Sequence, residues 1–162
     1  MITFPTLAIA EPNTDQIVKN IYSSSFEIKQ DKPAEFPHGE YKQFNIYEDA
    51  GIDFNVDPAI LMAVHDEETG KSGNTCINSY AGAVGPMQFL PSTFVAYAVD
   101  GDNDGSESIC NLSDAIHTAS HYLAANGANR GQVRQALWQY NHADWYVEEV
   151  LYKARTKYGY KG

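Results

Sequence analysis

The chain has 162 residues, 43% of them hydrophobic with 11 Tyr and 7 Phe, and its 21 acidic residues against 11 basic ones give a net charge of −10. That length suits one domain with a real core plus an appended segment, and the composition excludes a disordered chain. The charge repels phosphate backbones and anionic membrane surfaces, which argues against nucleic acid as a partner, and no apolar run reaches the roughly 20 residues that membrane insertion requires.

Met1 to Ala10 lacks a basic stretch and is broken by Pro5, so it does not read as a signal peptide. The expectation is export by another route or a domain cut from a longer chain. Residues 1–40 read as a leader or linker, polar from residue 11 onward, with Pro12, Pro33 and Pro37 and a brief helix over Gln16–Tyr22. From Tyr41, the spacing of Phe44, Tyr47 and Ala50 predicts a helix of about ten residues stopped by Gly51. Asp57 before Pro58 is a cap followed by a first-turn proline, and it opens the helix PAILMAVHDEET.

Residues 70–85 are rich in Gly, Ser and Asn and read as irregular. Met87–Ala98 predicts a short helix, a break and a restart with Pro91 in the first turn. Ser113 is the expected cap of a helix with Ala115, Ile116, Ala119, Tyr122 and Leu123 in its buried stripe, stopped by Asn126-Gly127. Two more helices follow, Gln132–Tyr140 and Asp144–Tyr158, the last with Val147, Val150, Leu151, Ala154 and Tyr158 in line and Gly159 at its end. Strand-like alternation is almost absent, so the class is all-α. Cys76 and Cys110 permit one disulfide, closing a loop of about 35 residues worth on the order of 3–4 kcal/mol, or stand as two separate buried thiols.

Four segments carry candidate chemistry. Helical spacing puts Glu68 on the face of Leu61 and Val64, with Asp66 opposite and Glu67 at the edge. A carboxyl held among apolar groups keeps its proton to higher pH, as a general acid must. Ser79–Phe89, SYAGAVGPMQF, combines glycines that allow close backbone approach with Gln88, whose amide both donates and accepts. Tyr140-Asn141 presents a phenol and an amide at a helix end, where the phenol can orient the carboxyl. Asp100, Asp102 and Asp104, with Gly105, occupy positions 1, 3, 5 and 6 of a calcium-loop pattern that then departs from it, with Asn111 where a bidentate Glu belongs. The five histidines form no tight ligand set, and neither the serines nor the cysteines sit in a nucleophile motif.

Taken in order, Glu68-Thr69, the loop S-x-A-G-A-x-G-x-M-Q-F-x-P-S-T, the acidic turn, A-L-x-x-Y-N and the closing Y-V-x-x-V-L helix resemble the lytic transglycosylase domain related to goose-type lysozyme, over roughly Tyr41–Tyr158. The likeness is to versions from Gram-positive cell-wall lysins, conjugation machinery and phage. The family often has Glu-Ser and Gly-Leu-Met-Gln where this chain has Glu68-Thr69 and Gly85-Pro86-Met87-Gln88. The resemblance implies a lysozyme-like helical domain, needing no cofactor, that cleaves the MurNAc-β-1,4-GlcNAc bond of peptidoglycan strands with Glu68 as its one essential acid. It implies glycan contacts at Ser79, Met87, Gln88 and Asn141, with Tyr140 beside the acid. It also implies an extracellular or cell-wall location, or delivery by phage, and flanking domains in a larger lysin. The competing readings are a hydrolytic muramidase on the same bond, a chitin-type hydrolase, and a calcium-binding wall-binding domain without catalysis.

Overall fold

A computed structural model describes residues 40–72 and 75–162, and the expected leader lies outside them except for Glu40. The described residues form six α-helices: α1 (Glu40–Phe54), α2 (Pro58–Thr69), α3 (Pro91–Tyr97), α4 (Leu112–Ala125), α5 (Val133–Tyr140) and α6 (Asp144–Tyr158). A 3₁₀ turn, Ala128–Arg130, links α4 to α5. No helix among the described residues is long and apolar enough to cross a membrane.

The organising element is α2. The Asp57 side chain accepts a hydrogen bond from the Ala59 amide at 2.9 Å, and Gly70 closes the helix at φ +63°. Between these caps every residue from Ala59 to His65 is buried, because α6, α1 and α4 surround it. A helix apolar all round its first two turns belongs in the middle of a core. Beyond His65 its last turn, Asp66 to Thr69, reaches partial exposure, so the acids stand where the core opens to solvent.

Two expected boundaries differ, each for a local reason. Helix α1 runs through Gly51 and stops only at Asn55, which takes φ +54°. Gly51 serves close approach instead: a Cβ there would lie 2.7 Å from the Val56 carbonyl and 2.9 Å from Pro58 Cγ. The α4 cap is Asn111, whose Oδ1 accepts from the amides of Ser113 and Asp114. Met87–Leu90, expected to be helical, forms a turn and an isolated bridge, and only the restart at Pro91 becomes α3.

The irregular stretch between α2 and α3 is pinned at several points. Val84 bridges both Asn78 and Phe89, and Cys76 is joined to Cys110 in a disulfide with Cα atoms 4.7 Å apart. Gly85, at φ +85°, lies so close to the Ile109 carbonyl that a Cβ would meet it at 2.0 Å. The loop beside the acids is thereby held against the segment that leads into α4.

Candidate active site

Three consecutive acids end α2, and their partners separate them. Asp66 accepts from Lys157 at 2.8 Å and from the Tyr158 hydroxyl at 3.0 Å, and Lys153 lies 2.6 Å from Glu67. Despite partial burial, the hydrogen bonds from Lys157 and Tyr158 and the two lysine charges hold Asp66 below the usual carboxylate range. Among the described residues, Glu68 is in no ion pair. Its Oε1 accepts a 2.6 Å hydrogen bond from the Tyr146 hydroxyl, and burial, reinforced by the Glu67 charge, raises its pKa to about 7 against the pull of that bond. Desolvation without a counter-charge is what keeps a carboxyl protonated near neutrality.

Tyr146 was not among the residues expected from the sequence. It lies in the first turn of α6, 1% exposed, with its ring parallel to that of Tyr140 at 6.4 Å between centroids. Tyr140, expected to hold the carboxyl, instead donates to the Met87 carbonyl at 2.8 Å. Burial and the Glu68 charge both raise the Tyr140 phenol well above its ordinary value, so it lies within the field of the acid without bonding it. The signal available in the sequence was position. Tyr146 is four residues before Val150 on the buried face of α6, which packs against α2.

The loop opposite is clamped through its carbonyls. Thr69 Oγ1 donates to the Pro86 carbonyl at 3.0 Å, next to the Tyr140 bond to Met87. Met87 itself is fully buried, so its side chain belongs to the core and cannot meet a glycan as expected. Gln88 adopts φ +49°, and its Nε2 donates to the carbonyls of Ile77 and Gly85 at 3.2 and 2.9 Å. With both N–H groups committed, its Oε1 is left as an acceptor. Ser79 Oγ accepts from the Ala83 amide at 2.9 Å and keeps its own proton to donate. The Asn141 side chain is half-exposed and, among the described residues, has no hydrogen-bond partner, which leaves its amide free.

The acidic turn is built differently from the expected calcium loop. Asp100, Asp102 and Asp114 bring carboxylate oxygens within 4.8 Å of one another. Asp104 turns aside, its Oδ1 accepting from the Ser106 amide at 2.9 Å and hydroxyl at 2.7 Å. Asn111 donates to Asp102 at 2.7 Å while its oxygen caps α4. The fully buried Asp114, in the first turn of α4, accepts from the amides of Gly101 and Ser108, each at 2.8 Å. Its burial and the charges of Asp102 and Asp100 raise its pKa despite those bonds. Three carboxylates at that spacing, with little positive charge to offset them, suit a hard cation with oxygen ligands at 2.3–2.6 Å.

Residues 59–136 match the sequence model of the family described as the transglycosylase SLT domain. Membrane-bound lytic murein transglycosylase B of Escherichia coli (strain K12) is 42% identical over 53 residues, 33% of this chain and 15% of that protein. The chain thus spans about one sixth of the length of the curated relatives it matches. The lytic transglycosylase SltB1 of Pseudomonas aeruginosa superposes with a TM-score of 0.61 at 17% identity, over 71% of this chain and 74% of that one. An Escherichia coli lytic transglycosylase, SLT35, in complex with calcium, superposes with a TM-score of 0.59 at 15% identity, over 87% of this chain and 82% of that one. The all-α, lysozyme-like fold is common to these structures and this chain.

Proposed function

We propose, on the match of residues 59–136 to the transglycosylase SLT domain family, that the chain cleaves the MurNAc-β-1,4-GlcNAc bond of peptidoglycan as a lytic transglycosylase. The observation that carries the reading is that Glu68, next to two acids committed to lysines, is bonded to a tyrosine hydroxyl instead. Protonated Glu68 donates to the glycosidic oxygen as the C1–O bond breaks and an oxocarbenium-like centre develops. The resulting carboxylate takes the proton of the muramyl C6 hydroxyl, whose oxygen closes on C1. The product is a 1,6-anhydro sugar, Glu68 is protonated again and no water is consumed.

Hydrolysis by the usual schemes needs a second carboxylate as nucleophile or base. Asp66 and Glu67 are paired with Lys157 and Lys153, and Asp102 serves the acidic turn. That arrangement favours the intramolecular acceptor. Ser79, the Gln88 oxygen and the free Asn141 amide complement sugar hydroxyl and acetamido groups. Asp100, Asp102 and Asp114 are the calcium ligands in this reading, and the ion would brace the turn that packs on α4. The disulfide suits an oxidising compartment, and the murein-directed relative supports a reading in which the reaction takes place outside the cytoplasm, at the wall.

Digestion of purified peptidoglycan followed by mass spectrometry of the muropeptides tests the reaction. Anhydro ends are expected; reducing ends would make the enzyme a muramidase, and intact strands would leave only wall binding. Tyr146→Phe separates orientation from packing. Its hydroxyl stabilises ionised Glu68, so its loss should raise the Glu68 pKa further, move the alkaline limb of the pH profile upward and lower kcat by roughly tenfold or more. A profile left in place would show the hydrogen bond to be structural only.

A further inference from the structure

We infer that Trp145 is a glycan-stacking residue that seats a pyranose ring next to the reacting pair; the inference rests on the reading of Glu68 as the catalytic acid. The indole is 63% exposed in the first turn of α6, immediately before Tyr146, whose hydroxyl holds Glu68. The two rings stand nearly perpendicular, at 80° with centroids 6.0 Å apart. The exposed indole therefore stands against the ring whose hydroxyl holds the acid. Among the described residues the indole N–H has no hydrogen-bond partner. So large an exposed aromatic buries little area and adds little to folding, while it offers a flat apolar face to a ligand.

The occupant follows from the substrate. A strand whose scissile bond lies at Glu68 continues past it, and it passes the residues that frame the carboxyl. The apolar faces of β-linked pyranoses stack on indole, and stacking involves no charge, which suits a protein whose net charge is −10. The free amide of Asn141, at the turn joining α5 to α6, supplies a polar partner near the same segment. An exposed tryptophan at that place selects for chain length instead of taking part in bond cleavage.

The test compares the wild type with Trp145→Ala and Trp145→Tyr on soluble glycan strands of four and of eight sugars, released from peptidoglycan and stripped of peptide. Trp145→Ala should raise KM on the octasaccharide about tenfold, leave kcat and the pH profile unchanged, and have a smaller effect on the tetrasaccharide. Trp145→Tyr should restore most of the loss. An octasaccharide KM equal to the wild type, or a fall confined to kcat, would overturn the inference while leaving cleavage intact. If the wild type cleaves neither strand, the catalytic reading falls separately. Calorimetric affinity for the octasaccharide then decides: a tenfold weakening in Trp145→Ala supports stacking, and an unchanged Kd rules it out.

Discussion

Glu68→Gln is expected to abolish strand cleavage and, at the same time, to make the protein more stable above pH 7. The first effect follows from removing the only group assigned to donate and then accept a proton, a role typically worth 10²–10⁴-fold in rate. The second follows from linkage. Burial raises the Glu68 pKa from 4.5 to about 7, so the folded state holds a proton that the unfolded chain would already have released. The stabilisation is complete below the unfolded value and is lost as pH rises through the folded one. By pH 8 the ionised, desolvated carboxylate costs roughly 3 kcal/mol. Glutamine keeps an oxygen for the Tyr146 hydroxyl and carries no charge. The variant should therefore melt on the order of 10 °C above wild type at pH 8 and close to it at pH 4. Equal differences at the two pH values would show that Glu68 is not held protonated by its surroundings. The wild-type activity should likewise fall as pH rises through about 7, because the reaction begins from the acid form.

The placing of Glu68 was legible because it is local. The Asp57-Pro58 start and the 3.6-residue period place Glu68 in the apolar stripe of α2, and Asp144 and Gly159 mark the ends of α6 as observed. What escaped depends on contacts between distant segments. Glu68 meets Tyr146 across the α2–α6 interface, and periodicity shows that Tyr146 is buried without showing which polar group its hydroxyl will reach. Met87 reads as a site residue from its motif, yet it is the carbonyl that faces Tyr140 while the side chain fills the core. Gly51 reads as a helix stop because glycine commonly ends helices. Its purpose, approach to Val56 and Pro58, appears only once α1 and α2 fold against each other.

The acidic turn provides the second large effect, since it distinguishes the ligand set read from the sequence from the one built by the fold. Asp114→Asn should destabilise the protein by about 3 kcal/mol. Its carboxylate serves two backbone amides, Gly101 and Ser108, and an amide side chain can accept from one while turning a donor against the other. Asp104→Asn, on an exposed turn and with side-chain bonds to Ser106 alone, should cost less than about 1 kcal/mol. Calcium then separates the two sets. At a hundredfold excess over Kd it should stabilise the wild type and Asp104→Asn by about 2.7 kcal/mol, while Asp114→Asn shows little or no response. A melting temperature indifferent to calcium and to chelator in the wild type would remove the ion from the account. Asp114 would remain as the clamp of the turn, because its two backbone bonds are made without any metal. A calcium response lost in Asp104→Asn and kept in Asp114→Asn would restore the ligand set read from positions 1, 3 and 5. The outcome turns on one physical difference: Asp114 is held by the rigid first turn of α4, whereas Asp104 spends its oxygen on the turn that carries it.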